Sequence, residues 1–306
     1  MNPVSLDDAE LERRLAALPP DALSIHSLLG GTLRLATIQG TRAVALARAA
    51  HRAEPFVATA LGHALVLAGL YASTLKGADR VSLVLESDGP LAGFSVEGAA
   101  DGSVRGSAEA GSATPASLDP AAWIGRGTLS ASRFIAGAPR PFVGQVELVE
   151  GGPARNLAEL FLRSEQTRSA VAVGVRPDRL GRPEGAGGML LQAMPGADDI
   201  AIERAEKAFG RLPPIGSWFA DGGDAGALVE RTFAELSPVY LGTRPFRFDC
   251  PCSKERFAAS IEALGEGLRE LAENGPWPVE TVCKACGSIY LFERDELVAM
   301  LEAKRP

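Results

Sequence analysis

No cysteine occurs in the first 249 residues of this 306-residue chain, and the sequence holds only four in total. A framework of structural disulfides, as in small secreted domains, is therefore not the expected reading. Histidine is scarcer still: His26, His51 and His63 all lie in the first quarter of the chain. None is near the cysteines in sequence, so no histidine is assigned a ligand or catalytic role. Basic runs are absent and the formal net charge is −7, which argues against nucleic acid or an acidic membrane surface as the main partner. A phosphate loop is also missing. The glycine-rich stretch Gly185 to Met194 lacks both the strand–loop–helix order and the Lys-Ser/Thr pair that such a loop requires. Met1 to Arg14 has no apolar core and does not read as a signal peptide. One run, Phe56 to Leu75, is long and apolar enough to be mistaken for a membrane span. Gly62 and Gly69 inside it, and the lack of an aromatic belt or a second such run, favour a buried core helix. The chain is accordingly expected in the cytoplasm, where thiols stay reduced.

The length suits one large domain plus a small one. Hydrophobic residues make up 46% and charged residues 23%, the balance of a globular protein, while 34 Gly and 21 Pro predict many turns. The N-terminal part alternates strand-like and helix-like segments. Strands are predicted over 31–40, 80–86, 91–97, 103–107, 127–134, 142–149, 170–176 and 185–194. Helices are predicted from Pro55 to Lys76 and from Asn156 to Gln166, the latter with Asn156 as N-cap. The fold class is α+β: a sheet-and-helix core domain over 1–195, a helical linker over 196–245 and a small zinc-binding domain over 246–306. The linker carries helix-like pieces at 200–209 and 226–236 around Gly/Pro breaks, with Trp218 and Phe219 between them. Its five Lys/Arg against eight Asp/Glu and its short helices predict marginal stability on its own. In the last part, Ser253 is placed to cap one helix running to Asn274, with Phe257, Ile261, Leu264, Leu268 and Leu271 as its apolar stripe. Gly265 and Gly267 weaken that helix by about 1 kcal/mol each. A short strand over 288–292 and a helix from Asp295 to Ala303 follow.

What the sequence does have is concentrated. Cys250-Pro251-Cys252 and Cys283-Lys284-Ala285-Cys286 are separated by thirty residues, a spacing suited to one tetrahedral zinc ion held by four thiolates. Cys283-x-x-Cys286-Gly287 has the shape of a zinc knuckle, in which glycine supplies a positive φ and backbone N–H groups turn toward sulfur. Cys250-x-Cys252 is less usual, because both sulfurs reach one metal only if the backbone bends sharply. From Phe246 to Pro306 the chain has eight Lys/Arg and eleven Asp/Glu, the opposite sign from a DNA-binding ribbon. A closed four-sulfur site leaves no position for catalysis. It can be structural and inert, the reading that spacing alone favours, or it can hold thiolates ready for oxidation. Four cysteines allow three disulfide pairings. Proximity along the chain, which survives unfolding, favours Cys250–Cys252 and Cys283–Cys286.

CPCSKERF and CKACGSIYLF, with thirty residues between Cys252 and Cys283, resemble the C-terminal zinc region of the 33-kDa heat-shock chaperones, the redox-regulated holdases of bacteria. FLRSEQ (161–166), AGGMLLQAMPGA (186–197), STLKG (73–77) and ESDGPL (86–91) resemble segments of that family's core domain. The resemblance extends from about Ser24 to Met300. It implies that Cys250, Cys252, Cys283 and Cys286 bind one zinc ion in a reduced, inactive protein. Oxidation to two disulfides then expels zinc, unfolds the zinc domain and linker, and yields a dimer that binds unfolding clients without ATP. The alternative from another class is a constitutive zinc-ribbon adaptor for a protein partner.

Overall fold

The computed structural model describes residue 6 and residues 8–115 and 117–302. Met1 to Ser5 and Asp7 of the Met1–Arg14 segment, and Ala303 of the expected last helix, lie outside the described residues. In chain order the elements are α1 (Ala9–Ala17), β1 (Ala22–Leu28), β2 (Leu33–Gln39), α2 (Thr41–His51), α3 (Pro55–Ala72), β3 (Arg80–Ser87), β4 (Leu91–Ala99), β5 (Ser103–Ala110), β6 (Gly127–Phe134) and β7 (Phe142–Glu147). They continue with α4 (Gly152–Glu165), β8 (Ser169–Pro177), β9 (Pro183–Ala193), α5 (Asp199–Phe209), α6 (Ile215–Ala220), α7 (Ala225–Phe233), β10 (Val239–Pro245) and β11 (Arg247–Phe248). The C-terminal part is α8 (Lys254–Glu262), α9 (Glu266–Asn274), β12 (Val279–Val282), β13 (Ile289–Phe292) and α10 (Arg294–Glu302).

The class is α+β. A five-stranded sheet has the order β10-β1-β2-β9-β8, a six-stranded one β11-β5-β4-β3-β6-β7, and β12 and β13 form a separate pair. Alternation explains their placement: in β3, Val81, Leu83 and Leu85 are buried while their neighbours are more exposed. Those side chains meet α3, which packs against strands of both sheets. α3 has the length and mean hydropathy of a membrane span, yet 83% of that span is buried inside the protein. Its apolar residues on all sides therefore serve a central core helix, as expected from Phe56 to Leu75. Gly69 has a packing reason: a Cβ there would stand 2.5 Å from the Phe246 ring, whose close approach only glycine admits.

The 196–245 stretch is more integrated than its sequence suggested. α5, α6 and α7 lie over the five-stranded sheet. Phe219, Leu228, Val229 and Phe233 form a buried cluster there with Leu33, Leu35 and Met189 of the sheet. Trp218 and Phe219 belong to a helix of their own, α6. The stretch ends as a strand, β10, paired antiparallel with β1.

Two local expectations are corrected. Asn156 is not an N-cap. Its helix starts four residues earlier, at Gly152-Pro153, and the buried Asn156 amide bonds Val149 and the Gly152 carbonyl. The single helix expected from 254 to 274 is two, because Gly265 sits at φ 61° and ψ −110° between α8 and α9. Ile261 and Leu268 of its stripe are buried, but Leu264 at the break is 55% exposed. Ser253 does cap α8, accepting from the Arg256 N–H.

Candidate metal centre

Four segments converge on the cysteines. β11 runs parallel to β5, and the chain then turns through Cys250-Pro251-Cys252 into the cap of α8. The hairpin β12–β13 carries Cys283 and Cys286 on the turn between its strands. In that turn Gly287 has φ 69°, its N–H donates to the Cys283 carbonyl at 2.7 Å, and the Cys283 N–H donates to the Ser288 carbonyl at 2.9 Å. This is the knuckle geometry that the Cys-x-x-Cys-Gly pattern called for.

All four cysteines are buried, and their sulfurs lie within 4.8 Å of one another. Cys250 Sγ is 3.9 Å from Cys283 Sγ, and Cys252 Sγ is 3.3 Å from Cys286 Sγ. A tetrahedron with metal–sulfur bonds of about 2.3 Å has edges of about 3.8 Å, so a four-thiolate zinc ion fits this donor set. The electrostatics agree. Burial pushes the thiols of Cys283 and Cys286 up, and a cation is the means by which four buried sulfurs become thiolates together. Cys252 differs: burial opposes its ionisation, but the Tyr290 hydroxyl and the neighbouring thiols bring it down to about 7. Tyr290 Oη lies 3.2 Å from Cys252 Sγ and donates to the Cys252 carbonyl at 3.0 Å. Ser288 Oγ is 3.3 Å from Cys286 Sγ.

The centre is docked on the core domain. Arg105 of β5 donates from Nη1 to Cys250 Sγ at 3.3 Å, and Glu97 of β4 accepts from the same guanidinium at 2.6 and 3.0 Å. The Gly106 N–H donates to the Ala285 carbonyl at 2.8 Å. A Cβ on Gly287 would collide with the Ala50 carbonyl at the end of α2. His51, one residue on, lies edge-on to Phe248. Sequence reading found the four cysteines and missed Arg105, Glu97, Tyr290 and Ser288. Tyr290 and Ser288 follow the knuckle closely and were within reach of it. Nothing in the sequence ties Arg105 to a cysteine 145 residues away.

A family model described as "Hsp33 protein" matches residues 21–293. The chain belongs to the Hsp33 family. Curated relatives named "33 kDa chaperonin" include one from Shouchella clausii, 33% identical over 278 residues that cover 89% of this chain and 94% of that protein. Another, from Pelobacter propionicus, is 34% identical over 259 residues, 82% of this chain and 84% of its own. The crystal structure of the 33 kDa chaperonin from Thermotoga maritima superposes with a TM-score of 0.84 at 28% identity, covering 94% of this chain and 99% of that one. The Hsp33 fold therefore accounts for the core, the 196–245 helices and the cysteine centre together.

Proposed function

We propose that this chain is a redox-regulated chaperone of the cytoplasm, a holdase that works without ATP and is inactive while reduced. The observation that carries the proposal is the cluster of four buried cysteines in a chain belonging to the Hsp33 family. Cys250, Cys252, Cys283 and Cys286 are the metal ligands and the redox-active thiols, and no residue is assigned a catalytic role. When bound, zinc gathers four thiolates and supplies the crosslink that a domain of this size needs.

Oxidation removes the ligands. Each pair of thiols gives up two electrons and two protons to an oxidant such as a peroxide, which leaves as water, and one S–S bond forms. Two such steps leave no thiolate to retain the metal. Pairing within Cys250–Cys252 and within Cys283–Cys286 leaves the two halves of the centre unconnected, so the 246–306 domain loses its crosslink. The 196–245 linker follows in this account. Its last strand leads directly into the segment that anchors the centre through β11 and β5, and its short helices are held by packing on the sheet. Melting it uncovers Phe219, Leu228, Val229 and Phe233 and the sheet residues beneath, each apolar side chain worth about 1.5–3 kcal/mol on reburial. That surface suits unfolding client proteins and a second copy of the chain, not nucleic acid or membrane.

Hydrogen exchange of the zinc-loaded reduced protein and of the peroxide-treated, zinc-free protein tests this reading. Protection is expected to fall across 196–302 and to persist in α3 and β3. Protection retained over 246–302 after zinc loss contradicts it and favours a constitutive zinc-ribbon adaptor.

A further inference from the structure

The linker brings like charges together. Arg204, Lys207, Arg211 and Arg231 line one cavity of about 480 Å³ beside α5 and α7. They are four of the five basic residues in the whole 196–245 stretch, which has eight acidic ones, and the chain as a whole is at −7. Among the described residues none of the four has a carboxylate partner within ion-pair distance. Arg204 donates to the Glu235 backbone carbonyl at 3.0 Å, and Arg231 lies over the Trp218 ring at 5.5 Å. Glu235 is the one acidic residue on the cavity wall. The Thr232 hydroxyl, also on that wall, is buried with no hydrogen-bond partner.

Four exposed cations facing one concavity, with a single carboxylate among them, make a positive patch that attracts an anion. Lys207 and Arg231 each stand in the last turn of a helix, where a cation also complements the helix dipole. That explains each separately but not their convergence with Arg204 and Arg211. At about 480 Å³ the cavity is far larger than a single monatomic ion. Guanidinium groups match phosphate oxygens in paired hydrogen bonds, and lysine adds a point charge.

We infer that this cavity is a binding site for an oligophosphate anion, which holds the α5–α7 layer of the linker folded. The binding itself is independent of redox chemistry. Its consequence for activation, a higher threshold for linker opening on oxidation, rests on the holdase reading above. A ligand that binds only the folded layer at a hundred times its Kd lowers the open population about a hundredfold.

The experiment uses the reduced, zinc-loaded full chain and sodium tripolyphosphate, with sodium chloride at matched ionic strength as control. Calorimetry is expected to show saturable binding of one tripolyphosphate. Amide exchange at Leu228, Val229 and Phe233 should slow up to a hundredfold at saturation. The variant K207Q/R211Q alters two exposed side chains, so it should keep the wild-type zinc content and circular dichroism. It should bind at least about tenfold more weakly and lose the slowing, whereas K207R/R211K should retain both. ATP and long-chain polyphosphate arms separate a nucleotide from a polymer as the source of the phosphates. Absence of saturable binding, or an equal response in K207Q/R211Q, overturns the site and leaves the four cations as helix-end charges. Binding and linkage of this kind would stand even if the oxidised protein proved to have no chaperone activity.

Discussion

Arg105 on the core sheet holds a guanidinium nitrogen 3.3 Å from the sulfur of Cys250, and Glu97 fixes that guanidinium from the other side. A zinc ion held by the four thiolates would carry a net charge of −2, and Arg105 is placed to offset part of it and to orient the Cys250 sulfur. Burial opposes the Arg105 charge, but Cys250 and Glu97 hold its pKa above the ordinary range.

Replacing Arg105 with Met removes the charge and keeps much of the stem. Zinc affinity, measured by chelator competition in the reduced protein, is expected to fall about 10–100-fold, as for other partners of metal ligands. Glu97→Gln should act in the same direction and less. Unchanged affinity in Arg105→Met would show that the contact is incidental to metal binding.

Disulfide mapping addresses the pairing. In the reduced fold Cys250 Sγ is 3.9 Å from Cys283 Sγ and Cys252 Sγ is 3.3 Å from Cys286 Sγ, while all four sulfurs lie within 4.8 Å, so native distances do not select. Crosswise bonds would staple the two halves together and oppose unfolding. Non-reducing digestion and mass spectrometry of the oxidised protein should therefore find Cys250–Cys252 and Cys283–Cys286. A majority of crosswise bonds would argue against unfolding of the domain.

Much of the fold was legible because period and punctuation agreed. Val81, Leu83 and Leu85 alternate, Pro55 opens an apolar run, and Gly275-Pro276 closes one. The cysteine centre was legible because ligand spacing is local chemistry. What escaped depends on distant partners. β1 and β10 pair across more than 200 residues, and Asn156 looks like a cap until the Val149 backbone is seen to claim its amide. Gly265 was read as a weak point in one helix. Its φ of 61° with ψ of −110° makes it a break, which composition alone does not distinguish.

That break gives a stability test. Gly265→Ala forces a side chain into a backbone region that essentially only glycine occupies, at about 1–3 kcal/mol. Gly267→Ala, inside α9, should change stability by less than about 1 kcal/mol. Thermal unfolding of the zinc-loaded protein checks both. Equal effects would mean that α8 and α9 are continuous in solution.

His63, buried on α3 and edge-on to Trp123 at 5.0 Å, gives a pH test. Burial lowers its pKa from 6.5 to about 4. The folded state therefore binds fewer protons than the unfolded one between those values. The His63 contribution is fully present above pH 6.5 and is lost as pH falls toward 4, on the order of 3 kcal/mol. Urea unfolding of His63→Phe, which keeps the aromatic contact, should show a flatter stability profile across that range. An identical slope would mean that His63 is not the titrating group.

Redox control of client binding is measured by light scattering of a heat-denatured client without ATP, with the protein either reduced and zinc-loaded or peroxide-oxidised and zinc-free. Sedimentation of both forms is run in parallel. The oxidised, dimeric form is expected to suppress aggregation and the reduced form to do so little. Equal suppression by both forms, or none by either, would contradict redox control of client binding.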